Sequence, residues 1–219
     1  LRTVEPGRLL RAGLPLAAGT VLDSDNTSIA LSPDGLTLAF IASSPETRNR
    51  VWVRPLDGAQ TQALPGTEGA SYPFWSQDNR SIGFFADGKL KKIGVAGGTV
   101  QTICDAPDGR GASWSAKGVI AFSPEPFGGL LQVSAAGGAP RPLTKPEKEG
   151  VTHRLPHFLP DGDRLLFFSG NSVEDKLNGV HSLDLRTSET TPVVSEQSGA
   201  QFAPPSHLAF IRDGNLMVQ

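Results

Sequence analysis

Short apolar runs alternate with tight polar turns along the whole chain. Ser81–Ala86 (Ser-Ile-Gly-Phe-Phe-Ala) is β-favouring and apolar enough to be buried on both faces. Lys89–Val95 (Lys-Leu-Lys-Lys-Ile-Gly-Val) instead alternates polar and apolar positions, as a strand with one wet face does. Between them Asp87-Gly88 supplies a hairpin turn, because Gly accepts positive φ without a Cβ clash. Ser71–Trp75 is a short strand leading into the turn Ser76-Gln77-Asp78-Asn79. After Gly97-Gly98 turns the chain again, Val100–Ile103 forms a fourth strand. Four antiparallel strands in about 42 residues are the layout of one propeller blade. No stretch combines sustained helical periodicity with caps, so long helices are not expected.

The same order recurs. Turns at Ser32-Pro33-Asp34-Gly35, Ser76–Asn79, Ser115-Ala116-Lys117-Gly118 and Leu159-Pro160-Asp161-Gly162 end at spacings of 44, 39 and 44 residues. In Ser-Pro-Asp-Gly the Pro fixes φ near −65° and the Gly takes the left-handed position. Asn79 can stand in for that Gly, since Asn tolerates the left-handed region well. Leu38-Ala39-Phe40-Ile41 returns as Leu208-Ala209-Phe210-Ile211, and Ile82–Ile93 aligns without gaps on Leu208–Gln219, an offset of 126. The expectation is an all-β propeller with four complete four-stranded blades and a partial fifth. The blades fall at roughly 27–65, 70–104, 111–144, 153–195 and 200–219, in one domain, with 1–22 as an N-terminal strand or linker. The run stops inside unit five. The expected reading is a piece of a larger propeller; in the alternative, Gly7–Leu16 supplies the outer strand of that unit and closes a five-bladed ring.

Composition narrows the function classes. Twenty basic against 22 acidic residues argue against an electrostatic grip on nucleic acid or an anionic membrane. With Cys104 alone there is no intrachain disulfide and no Cys-based zinc site. No apolar stretch approaches the ~18 residues that span a bilayer. Gly and Pro make up about a fifth of the chain, which suits many short strands with many turns.

Candidate chemistry is thin. His153 and His157 are four apart, but Pro156 forbids a helix between them, and in a strand they would lie ~13 Å apart, too far to share a metal. Gly111-Ala112-Ser113-Trp114-Ser115 lacks the second Gly of a nucleophile elbow and reads as a strand entering a turn. Asp23-Ser24-Asp25-Asn26-Thr27 begins like a calcium loop, yet Ser28 stands where Gly is required. The Asp residues of the turns read as turn caps, and Trp52, Trp75 and Trp114 as packing between blades. No cofactor or metal is expected. The positions just before each first strand would line one mouth of a propeller's channel: Asn26, Thr27, Ser71, Tyr72, Arg110, His153, Arg154 and Gln201. They are either a ligand-binding rim or plain solvated loop residues.

Ser32-Pro33-Asp34-Gly35 followed by Leu38-Ala39-Phe40 resembles the WD-repeat-like propellers of bacteria, of the periplasmic Tol-Pal translocation type. A second set of segments comprises Arg54–Gly58, Leu64–Ala70, Gly83–Lys92, Cys104–Pro107, and His153-Arg154 before Phe158–Gly162. That set is similar to the C-terminal propeller region of bacterial transmembrane serine/threonine kinases. The resemblance implies an extracytoplasmic, non-catalytic sensor or binding module for a protein or small ligand. The chain carries no Gly-rich phosphate loop, His-Arg-Asp or Asp-Phe-Gly of its own. Prolyl-oligopeptidase-type peptidases carry similar propellers. The propeller of such an enzyme, or a metal-dependent propeller lyase or lactonase, is the alternative.

Overall fold

The computed structural model describes residues 16, 19–23, 28–45, 47–57, 60–171 and 178–219. Among these the chain is all β: twenty strands without a helix, in five antiparallel sheets that form the blades of a β-propeller. Blade one holds β1 (Val21–Leu22), β2 (Ile29–Leu31), β3 (Thr37–Ser44), β4 (Thr47–Pro55) and β5 (Gln62–Ala63). Blade two is β6 (Ser71–Trp75), β7 (Ser81–Ala86), β8 (Lys89–Gly94) and β9 (Gln101–Asp105). Blade three is β10 (Ala112–Trp114), β11 (Val119–Phe122), β12 (Leu131–Ser134) and β13 (Arg141–Pro142). Blade four is β14 (Thr152–Phe158), β15 (Arg164–Gly170), β16 (Gly179–Asp184) and β17 (Thr190–Val194). Blade five contains β18 (Ala200–Ala203), β19 (His207–Arg212) and β20 (Asn215–Val218).

Within blades two to four the strands pair in chain order, and the first strands of successive blades adjoin, β2 to β6 to β10 to β14 to β18. This puts the first strands at the axis. Blade one departs from the pattern, because β1 and β2 share the innermost place. Val21 pairs with Ser43 and Leu22 with Ala42, while Ile29 pairs with Phe40 farther down β3. Blade five has three strands, as the partial fifth unit in the sequence suggested.

The turn residues behave as their chemistry dictates. Gly35, Asn79, Gly118 and Gly162 have φ of 72°, 61°, 75° and 66°. Ser32 Oγ donates to Asp34 Oδ1 at 2.5 Å and accepts from the Thr37 amide at 2.9 Å; Ser76, Asp78 and Ser81 repeat this at 2.6 and 2.9 Å. Asp161 caps the fourth turn by accepting from the Asp163 and Arg164 amides. These hydrogen bonds hold the carboxyls of Asp34 and Asp78 below their ordinary range.

The core lies between blades rather than inside them. One cluster joins blades one and two through Ile41, Val53, Trp75 and Phe84. A second joins two and three through Phe74, Phe85, Trp114 and Phe122, a third joins three and four through Leu130, Phe158 and Phe167, and a fourth joins four and five through Leu166, Val180 and Phe210. Trp75 and Trp114 serve these seams, whereas Trp52 stacks on Phe40 within blade one and donates its Nε1 to Ala42 O at 3.2 Å. Polar ties recur near one period: Trp75 Nε1 to Ala30 O at 3.0 Å, the Asp34 amide to Asn79 Oδ1 at 3.1 Å, and the Phe158 amide to Ser113 Oγ at 3.0 Å. Lys117 and Asp163 form an ion pair across the third seam. Each apolar sheet face is thereby covered by its neighbour, which is the source of stability in repeat architectures.

Candidate functional site

The starts of the inner strands share one face of the ring with the β7–β8 hairpin and the crossing from blade two to blade three. Here the backbone leaves the regular ladder. Tyr72, Gly111 and Leu155 occupy equivalent places in blades two, three and four, and have φ of 48°, 103° and 53°. In blades two and four the register shifts beside this residue, between Ser71 and Phe74 and between Arg154 and His157. A bulge of this kind frees residues from the ladder and re-aims side chains. In both blades a proline follows, Pro73 and Pro156. Gly111 has no side chain because Leu155 of the next blade sits where one would go: an added Cβ would lie 3.1 Å from the Leu155 Cα. The Leu155 amide donates to Arg110 O at 3.1 Å, so the inner strands of blades three and four are tied at the mouth.

Ser71, Tyr72 and Arg110 come together in one groove of about 200 Å³, closed on its other sides by Asp87-Gly88 and by Ala106–Gly109. Its lining is mostly polar. The Arg110 Nη2 meets Asp108 Oδ2 at 2.8 Å, and Lys91 Nζ meets Asp87 Oδ2 at 2.6 Å, which holds the Asp87 carboxyl below its ordinary range. The Tyr72 ring stands edge-on to Phe85, 6.3 Å between centroids, and the Phe85 ring lies where a side chain at position 109 would be. The groove therefore has a rigid aromatic floor and a rim of paired charges. The lining residues Asp87, Pro107 and Asp108 were not among the sequence candidates. They sit at hairpin and crossing positions rather than before a first strand.

The other candidates are placed elsewhere. Asn26 and Thr27 lie outside the described residues, as do Gly58, residues 7–15 of the Gly7–Leu16 segment and most of the presumptive calcium loop. Gln201 is exposed on β18. His153 is buried; its Nδ1 shares a hydrogen bond with Thr144 Oγ1 at 2.7 Å, and its ring packs on Phe167 at 4.8 Å. Burial pushes its pKa down to about 4, and does the same for His157. The bulge in β14 turns these two histidines to opposite faces of the sheet: His153 packs with Phe167, which faces blade three, while His157 pairs with Leu166, which faces blade five. Arg154 lays its guanidinium over Phe168, 4.9 Å from the ring centre. Among the described residues no three His, Cys, Asp or Glu side chains converge as a metal site would require, and no helix is long and apolar enough to cross a membrane.

A larger hollow, about 560 Å³ and mainly apolar, opens at the opposite end of the ring between blades four and five. Three of its lining residues, Leu159, Leu166 and Leu208, belong to the cluster that joins those blades. It continues the seam.

No family model matches the chain. A Bacillus subtilis (strain 168) protein, named uncharacterized peptidase YuxL, is 27% identical over 154 residues, covering 69% of this chain and 23% of its own length. Among solved structures, TolB from Acinetobacter baumannii superposes with a TM-score of 0.63 at 16% identity, covering 87% of this chain and 53% of that one. One of two prolyl endopeptidases studied for inter-domain dynamics gives a TM-score of 0.56 at 15% identity, over 91% of this chain and 33% of the enzyme. At such identities the structural likeness is one of fold. The chain spans about a quarter of the curated relative and about half of the TolB structure.

Proposed function

We propose that this propeller is a non-catalytic binding module that engages a protein or small-molecule ligand at the mouth formed by its inner-strand starts. One observation carries the reading: Ser71, Tyr72 and Arg110, chosen from the sequence for their place before first strands, line a single polar groove. Donors and acceptors fixed on a bulged strand and a crossing loop suit recognition, because their geometry is set before a ligand arrives. No histidine lines the groove, so it lacks the paired base that a serine nucleophile requires. The similarity to TolB and the sequence resemblance to Tol-type propellers support an extracytoplasmic setting. Attachment to a receptor-like serine/threonine kinase rests on the sequence resemblance alone.

The peptidase-named relative and the prolyl endopeptidase likeness favour a second reading, in which the same propeller serves a hydrolase as a substrate-admitting domain. Both readings leave the chain itself without chemistry.

Saturation-transfer NMR of the purified chain against a small-molecule and short-peptide library tests the proposal. Ligands should be found whose signals disappear in Tyr72→Ala and Arg110→Ala while the circular dichroism spectrum is unchanged. Ligands indifferent to both substitutions would sink the assignment of the groove. Turnover of a chromogenic peptide by the chain alone would sink the non-catalytic reading.

A further inference from the structure

The groove between blades two and three carries balanced charge. Asp87 and Asp108 line it, and each carboxylate already touches a cation, Lys91 Nζ at 2.6 Å and Arg110 Nη2 at 2.8 Å. Beside them on β8 and β9, Lys89 and Asp105 pair with each other. These charges cancel, and none of them waits for an opposite charge from a ligand.

Hydrogen-bonding capacity nevertheless remains. Only Oδ2 of each carboxylate is engaged, so Asp87 Oδ1 and Asp108 Oδ1 are left to accept. A carboxylate has lone pairs for a fixed cation and a second donor together. The Ser71 hydroxyl has no partner among the described residues, and Arg110 keeps N–H groups that Asp108 does not take. There is also room. A Cβ added at Gly69 would meet nothing nearer than Asp87 Oδ1, at 4.0 Å, so the gap between these two lining residues is open. At about 200 Å³ the groove falls below the roughly 300–1,000 Å³ that drug-sized ligands fill, so it holds one ring or one residue. The Tyr72 ring stands in it at 88° to buried Phe85, which fixes a flat apolar surface among the polar groups.

Resting on the reading of this groove as the binding site, we infer that its ligand is a neutral sugar ring. Hydroxyls of the sugar donate to Asp87 Oδ1 and Asp108 Oδ1 and accept from Ser71 and Arg110. Bonds of this kind to charged groups are stronger than neutral ones, which offsets the cost of drying the hydroxyls. The C–H face of the ring lies against Tyr72. An anion would meet two carboxylates whose cations are already taken, and an ammonium would have to share a carboxylate with Lys91 or Arg110. A hydroxyl needs neither charge, because it donates and accepts at once.

The probes are the methyl glycosides of glucose, galactose and mannose, each beside its uronic acid and its amino sugar. They are titrated by saturation-transfer NMR at constant ionic strength, so that within each set the main variable is charge. At least one neutral glycoside should bind, and more tightly than both of its charged counterparts. Ser71→Ala should weaken it about two- to tenfold, the loss expected for one hydrogen bond. Asp108→Asn leaves Arg110 without its carboxylate, so there the uronate should become the tighter ligand. No saturable binding of any neutral glycoside to the wild-type chain overturns the proposal, as does a charged form that binds tighter than its neutral parent. An order of affinities unchanged by Asp108→Asn, or glycoside binding indifferent to Tyr72→Ala, overturns it as well. If no glycoside binds but another ligand is lost in Tyr72→Ala, the groove stands and only the sugar assignment falls.

Discussion

The indole Nε1 of Trp75 donates to the carbonyl of Ala30 at 3.0 Å, tying the inner strand of blade two to that of blade one. The same ring is buried in the cluster between these blades. Trp75→Phe keeps much of the apolar contact and strands the carbonyl, which should lower stability by about 1–2 kcal/mol. Trp75→Ala also opens a cavity, for a loss of about 3–5 kcal/mol. Urea unfolding measures both: an unchanged stability in Trp75→Phe would show that the hydrogen bond contributes nothing, and equal losses in the two variants would show that the ring's packing does not.

Gly83 in β7 faces the Phe74 ring so closely that an added Cβ would lie 2.1 Å from its Cζ. Gly83→Ala should destabilise by about 1–3 kcal/mol through overpacking. Phe74→Leu should also destabilise alone, yet the double variant should recover part of the Gly83→Ala loss, since the smaller side chain yields the space. A double-mutant cycle reads the coupling, and strict additivity would exclude the steric account.

His153 is neutral in the folded chain, with its pKa pushed down to about 4 by burial, against an ordinary value of 6.5. Between those values the unfolded chain takes up a proton that the folded chain refuses. Stability should therefore be fully present above about pH 6.5, decline by up to ~1.4 kcal/mol per pH unit toward pH 4, and stop declining from this source below that. His157 is pushed down to about 4 by its own burial, so it should add a decline of the same sign over the same range. Urea midpoints at pH 7, 5.5 and 4.5 should follow this course, with a shallower slope in His153→Gln. A flat profile in the wild-type protein would contradict it.

The blade layout was legible in the sequence because its signals are local. Gly35, Asn79, Gly118 and Gly162 had to be left-handed for the turns to close, and they are. The continuous apolar run of β7 likewise placed Phe84 inside, and the alternation of β8 placed Leu90 there. What lay beyond reach depends on which residues face each other after the ring forms. Nothing in Tyr72-Pro73 or Leu155-Pro156 alone announces a left-handed residue ahead of Pro, a position that normally favours extended backbone. The consequence of that kink, His153 and His157 on opposite faces, follows only from the register of β14 with β15. Likewise, Asp87 and Asp108 join the groove through a hairpin and a crossing, not through the spacing that identified Ser71, Tyr72 and Arg110.

Each tie between blades, from Trp75 to Ala30, from Phe158 to Ser113 and from Lys117 to Asp163, spans one seam and no more. A mechanical load drawn on the C-terminal end would therefore meet its resistance in stages, detaching β20 and its two companions before disturbing blade four. Force spectroscopy should register a sawtooth of small, similar steps, the mark of a molecule that yields a sector at a time.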